Sequence, residues 1–229
     1  MADGIRKETA TETEAYKDSM LLVLRRRVQG WIAGAFAPLV NWLAVRGVKP
    51  NQVSWGGFIL AVLAAVLAGL GLFLIAGLLY FFSGVADLID GALARRAGRE
   101  SRFGAFLDSI LDRAGEGLIH VAAAVTFARW GLWAGVLAVC LSLSGSYLTS
   151  YARARADGLG EAIHEAWFSR GERVVLLGAG LVFHFALIAF WAIAVMSWAT
   201  ALQRTWIVHR RLAVPPPGPE HAKPGKRNP

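Results

Sequence analysis

The sequence predicts an all-α integral membrane protein, with six transmembrane helices preceded by an interfacial amphipathic helix, on three observations. Hydrophobic residues make up 55% of the 229 and charged residues only 17%, a more apolar balance than soluble domains show. Six apolar segments, at about 52–70, 72–96, 102–128, 132–155, 171–187 and 189–209, are each long enough to cross a hydrocarbon core of about 30 Å. Their connections also alternate. The turns near Gly71, Trp130 and Ile188 hold little charge beyond Arg129, whereas the turn Arg95–Arg102, the connection Arg153–Arg173 and the end from Arg204 are rich in arginine. By the positive-inside rule the arginine-rich set faces the cytoplasm.

Residues 1–19 are polar and contain no apolar core of a signal peptide, so they read as a mobile tail with no cleavable leader. From residue 20 to 48 the chain is apolar but broken by Arg25, Arg26 and Arg27. Leu21, Leu24, Val28, Trp31, Ala35, Leu39 and Trp42 recur at helical spacing, which predicts a helix lying in the membrane interface. A crossing from 28 to 45 is the alternative, but only the interfacial helix keeps both termini cytoplasmic. Pro50 opens the first span, with Asn51 and Ser54 behind it as capping candidates. Residues 49–211 form the six-helix domain. The tail 212–229 is proline-rich and basic and is expected to be disordered.

Within the spans, Cys140 is expected to be a small buried residue, and His120 and His184 to be packed polar side chains. Gly178 and Gly180 are expected to let helices approach closely. Several of the nine tryptophans, Trp31, Trp130, Trp133, Trp167 and Trp206 among them, fall near segment boundaries, as an interfacial belt would. The formal charge of +8 suits contact with anionic membrane lipids. Because the basic residues interrupt apolar runs and form no soluble basic face, a nucleic-acid partner is excluded.

The chemistry is concentrated between residues 87 and 112. On a helix, Asp87, Asp90, Gly91, Ala94 and Arg95 share one face, and Gly104, Asp108 and Asp112 form a second single-face stripe. Gly98 and the charged run beside it break the apolar pattern, which predicts two antiparallel helices joined by a short turn and four carboxylates brought together. Carboxylates gathered in a partly dehydrated place must either take up protons or bind cations. Oxygen ligands without nearby Cys or His favour Mg²⁺ or Mn²⁺ over zinc. Acids on two facing helices are able to hold a pair of such ions about 3.5–4 Å apart, an arrangement used for phosphoryl displacement.

The eight defined positions, D-x-x-D-G-x-x-A-R and then G-x-x-x-D-x-x-x-D after eight residues, resemble the signature of the CDP-alcohol phosphatidyltransferases. The resemblance implies transfer of a phosphatidyl group from a CDP-linked lipid to an alcohol, with release of CMP, and a homodimeric enzyme of the cell inner membrane. It implies two divalent cations held by Asp87, Asp90 and Asp108, with Asp112 as general base and as a further ligand that touches one metal. Gly91 and Arg95 would then face the CDP-lipid. Asn51 and Ser54, in a segment similar to the family's Pro-Asn/Asp-x-x-Thr/Ser, would lie near the cytidine or simply cap their helix.

The stretch from Ser150 to Asp157, the Glu172-Arg173 pair and the Gln203-Arg204 pair are similar to the phosphatidylinositol phosphate synthase branch. That likeness implies that Arg153, Arg173 and Arg204 bind the phosphate of a soluble acceptor, inositol phosphate before glycerol phosphate. Guanidinium groups from three helix ends would select an anionic alcohol. Arginines that only anchor the topology are the other reading. A divalent-cation transporter would also carry intramembrane aspartates, but the far halves of these spans offer almost no polar route.

Overall fold

The computed structural model describes residues 34–163 and 167–213, and among them every regular element is α-helical. Seven helices follow in order: α1 (Gly34–Val45), α2 (Pro50–Gly69), α3 (Phe73–Ala97), α4 (Arg102–Arg129), α5 (Trp133–Gly158), α6 (Arg170–Val182) and α7 (Ala186–Ala213). Six lie within a few residues of the segments expected to span. Four of these, α2, α3, α5 and α7, are long and apolar enough to cross a membrane. The third expected span, α4, is long but interrupted by Asp108, Asp112, Arg113 and Glu116, and α6 has 13 residues.

Turn chemistry explains where the helices stop. After α3, Gly98 takes φ +59°, its N–H reaches the Arg95 carbonyl at 3.3 Å and the Arg99 N–H reaches Ala94 at 3.0 Å. This left-handed closure satisfies the last carbonyls of the helix and suits glycine, which has no Cβ to clash. Gly47, Gly71, Gly131 and Gly160 occupy the same place after α1, α2, α4 and α5. The turn after α6 is the exception, with His184 at φ +62° and exposed. His184 was expected inside a span. The helix stops two residues earlier, and histidine is one of the residues that more readily tolerate this conformation.

The described chain divides into two compact units. The first comprises the residues up to Gly57 together with Val85–Ser109, and the second Phe58–Gly84 together with the chain from Ile110. In the first, Val40 of α1 packs with the buried Ile89 and Leu93 of α3, and Phe36, Leu43, Val53 and Ala92 border them. Residues 20–33 of the expected interfacial helix, the tail 1–19 and residues 214–229 lie outside the described residues, as does Trp31. Helix α7 runs two residues into the stretch that was expected to be a tail.

In the second unit small residues set helix spacing. A Cβ on Gly77 would stand 2.8 Å from the Gly178 carbonyl, so α3 meets α6 almost backbone to backbone, and one on Gly145 would stand 2.8 Å from the Trp198 ring, for which this glycine of α5 makes room on α7. A Cβ on Gly180 would overlap Ala189. Phe127 meets Phe73 and Phe190 edge to face, at 5.9 and 6.0 Å, in the core. His120 is fully buried, with its ring nitrogens at the Glu116 carbonyl and, 2.8 Å away, the Ser142 hydroxyl. It is a packed polar residue, as expected. Cys140 is exposed, contrary to expectation. It falls on the stripe Trp133, Leu137, Cys140, Ser144, Tyr147, Leu148 of α5, the face that a bilayer would cover, while Ala138, Ser142, Gly145 and Thr149 turn inward. Trp130, Trp133, Trp167 and Trp206 are each more than half exposed near helix ends, in keeping with a belt.

Candidate active site

In the first unit, Asp87 and Asp90 lie one turn apart on α3, and the connection 98–101 brings α4 back so that Asp108 joins them. One carboxylate oxygen from each of the three lies within 4.8 Å of the others. Asp90 is buried and the other two are partly so. The start of α4 is secured by Ser101, whose Oγ accepts the Gly104 N–H at 2.9 Å. Gly104 is small for a reason, because a Cβ there would stand 2.9 Å from that Oγ and 3.3 Å from Oδ1 of Asn51. The N-terminus of α2 is thereby set against that of α4.

From α2, the Ser54 hydroxyl contacts Asp90 Oδ2 at 2.6 Å and its own helix at the Pro50 carbonyl at 3.3 Å. Ser54 is therefore more than a cap, because it orients one of the clustered acids. Capping falls to Gln52, whose Oε1 accepts the Lys49 N–H at 2.8 Å. Arg95 is exposed, and its guanidinium passes beside Gly91, where an added Cβ would sit 3.4 Å from Nη1. Three oxygen donors from two helices, one steadied by a hydroxyl, form a set that fits a hard divalent cation.

Asp112 is the fourth acid of the stripe and belongs to the second unit, where arginines meet it. Its Oδ1 pairs with Nη2 of Arg170, at the start of α6, and its Oδ2 lies 3.8 Å from Nη2 of Arg113. Arg113 also donates from Nη1 to the Ser150 hydroxyl of α5 at 2.6 Å. One turn on, Glu116 receives Nε of Arg173 at 2.9 Å, with both residues buried. Helix α6 starts at Ser169, whose N–H donates to the Glu172 carboxylate, and this capping contact sets the register that carries Arg170 and Arg173 inward.

The three arginines expected to bind an acceptor differ sharply. Arg173 and Arg204 are buried, at 3% and 6% exposure, whereas the Arg153 side chain is 56% exposed and only loosely paired with Asp157 at 3.9 Å. Arg204 donates from Nη1 to the Thr149 carbonyl at 2.6 Å, and its Nε has no hydrogen-bond partner among the described residues.

The structure thus gathers Asp87, Asp90 and Asp108 with Ser54, and separately joins Asp112 to Arg170 and Arg113. Sequence reasoning passed over Glu116 and Arg113 and gave Arg170 no role of its own. The signal for Glu116 was available, since Gly104, Asp108, Asp112 and Glu116 continue one stripe at intervals of four.

The chain is similar to proteins of known activity. The sequence profile described as CDP-alcohol phosphatidyltransferase matches residues 48–204. The archaetidylinositol phosphate synthase of Pyrococcus horikoshii is 34% identical over 74% of this chain and 88% of its own. The phosphatidylinositol phosphate synthase of Streptomyces avermitilis is 33% identical over 83% of this chain and 84% of its own. The crystal structure of the Mycobacterium tuberculosis phosphatidylinositol phosphate synthase with CDP-DAG bound superposes with a TM-score of 0.69 at 27% identity, covering 75% of this chain and 92% of that one. A second structure of that enzyme, in complex with manganese and citrate, gives a TM-score of 0.66 at 28% identity, over 75% of this chain and 87% of the other.

Proposed function

The chain belongs to the CDP-alcohol phosphatidyltransferase family, and from that premise we propose that it transfers a phosphatidyl group from a CDP-diacylglycerol-type lipid to a hydroxyl of inositol phosphate, releasing CMP. The observation that carries this reading is the convergence of Asp87, Asp90 and Asp108 on one small volume. These acids would hold divalent cations, Mg²⁺ or Mn²⁺, which when bound neutralise the diphosphate of the donor and stabilise charge that develops on it. Ser54 keeps Asp90 in its ligating orientation. Gly91 leaves room for the nucleotide, and Arg95 adds positive charge beside it.

Asp112 takes the proton of the acceptor hydroxyl as that oxygen attacks the lipid-side phosphorus, the bond from this phosphorus to the bridging oxygen breaks, and CMP departs with that oxygen. Arg170 and Arg113 hold the Asp112 carboxylate in place for this. Arg173 and Arg204 supply guanidinium groups for the acceptor phosphate, with Arg153 as a more exposed contact at the end of α5. A phosphorylated acceptor is favoured because Arg204 is buried with its Nε unpartnered among the described residues, where a charged guanidinium is costly unless an anion answers it.

The same reading takes α2 to α7 as six membrane-spanning helices, with residues 20–48 as an interfacial approach and the arginine-rich connections on the cytoplasmic side. A homodimer is part of it, as the family resemblance implies. Family membership favours transfer over cation transport. The deciding experiment incubates the purified protein with CDP-diacylglycerol, Mg²⁺ or Mn²⁺ and either inositol phosphate, glycerol phosphate or free inositol, and follows CMP release. Release that depends on inositol phosphate and stops with a chelator is expected. Preference for free inositol would overturn the assignment of the acceptor.

A further inference from the structure

Glu116 has no part in the reaction as described, yet it is buried at 4% exposure in the same unit as Asp112. Dehydrating a carboxylate costs several kcal/mol, and a buried ion pair is weak evidence of a gain in stability. Its surroundings suggest another use. Glu116 Oε1 takes Nε of Arg173 at 2.9 Å, from α6, while its Oε2 stands 3.4 Å from Nε of Arg113, from its own helix, without a hydrogen bond. Arg113 is itself tied to Ser150 of α5. One carboxylate therefore sits between two guanidinium groups.

The atom used on Arg173 matters. With Nε engaged, the plane of the guanidinium is set, and among the described residues no hydrogen bond is made by Nη1 or Nη2. Those two terminal nitrogens are the pair that grips phosphate oxygens side by side. We propose that Glu116 is a positioning residue for the acceptor: by holding Arg173 at Nε it presents the terminal nitrogens to the acceptor phosphate. The inference rests on the reading that Arg173 binds that phosphate.

Glu116→Gln keeps the shape but must set an amide NH₂ against the Nε of either Arg173 or Arg113, donor facing donor. In the full-length protein, with CDP-diacylglycerol and inositol phosphate, the expected result is an acceptor KM raised about tenfold while donor KM and kcat stay within about twofold. Added to Arg173→Lys, the substitution should raise the acceptor KM no further, because its effect passes through Arg173. An unchanged acceptor KM, an equal rise in donor KM, or additive effects in the double variant would each overturn the proposal. Should Glu116→Gln melt below the assay temperature, Glu116→Asp, which retains the charge, gives the same readout with a smaller expected rise, and an unchanged KM there is equally fatal. A wild-type protein that releases no CMP with any phosphorylated acceptor sinks the functional reading, whereas an active wild type indistinguishable from Glu116→Gln sinks this inference alone.

Discussion

The acids of the two units are treated in opposite ways. In the first, Asp87, Asp90 and Asp108 are turned toward one another, and a serine hydroxyl steadies one of them. In the second, Asp112 and Glu116 are each matched to arginines, Asp112 to Arg170 and Arg113, Glu116 to Arg173. Carboxylates that face each other repel, and the arrangement makes sense when a cation is brought from outside. Carboxylates that face guanidinium groups carry their compensation within the chain, and what they gain is orientation. The first unit gathers oxygen donors of a kind that fits a hard cation, and the second holds charged side chains at set angles.

The largest test of this contrast is Asp108→Asn. Activity should fall to background at any Mg²⁺ or Mn²⁺ concentration, because one of three oxygen donors is gone. A variant that keeps its metal-dependent turnover would break the comparison. Asp112→Asn comes next, with kcat lowered by roughly 10²–10⁴-fold and with donor and metal binding retained. Loss of CDP-lipid binding in that variant would mark Asp112 as a ligand.

Arg173→Ala takes from buried Glu116 its one hydrogen-bonded guanidinium, leaving Arg113 at 3.4 Å, and should cost about 3 kcal/mol in denaturant unfolding. A loss below about 1 kcal/mol, the range of exposed ion pairs, would mean that Glu116 finds compensation elsewhere. Ser54→Ala removes the 2.6 Å contact to Asp90 and should weaken metal activation by roughly 10-fold or more, read from the metal titration of CMP release. The smallest change is expected for Arg153→Ala: a raised acceptor KM at unaltered melting temperature, since its contact with Asp157 is exposed and 3.9 Å long. Unchanged acceptor kinetics would remove Arg153 from the site.

The metal cluster was legible in the chain because its donors repeat at helical intervals on both sides of a glycine stop. Spacing of three and four along α3 and α4 fixes a face, and Gly98 fixes the turn between them. The arginine network was far less legible. Arg170 and Arg173 lie more than fifty residues from Asp112 and Glu116, and nothing local pairs them. Their meeting depends on the Ser169 cap that sets the register of α6, and on glycines such as Gly77 that let α6 approach α3. Cys140 shows the limit from the other side, since an apolar run states that a residue belongs in a span but not which way it faces.

Composition and periodicity were enough to establish an all-helical membrane chain, the helix boundaries to within a few residues, and the acids that share a face. These are local properties, set by hydrophobicity, helical pitch and turn chemistry over a few residues at a time. The burial of Arg173 and Arg204, the hydroxyl of Ser54 on Asp90 and the guanidinium of Arg173 on Glu116 were decided by packing between distant helices. Such contacts depend on register and close approach, and no stretch of one helix encodes the angle at which another will meet it.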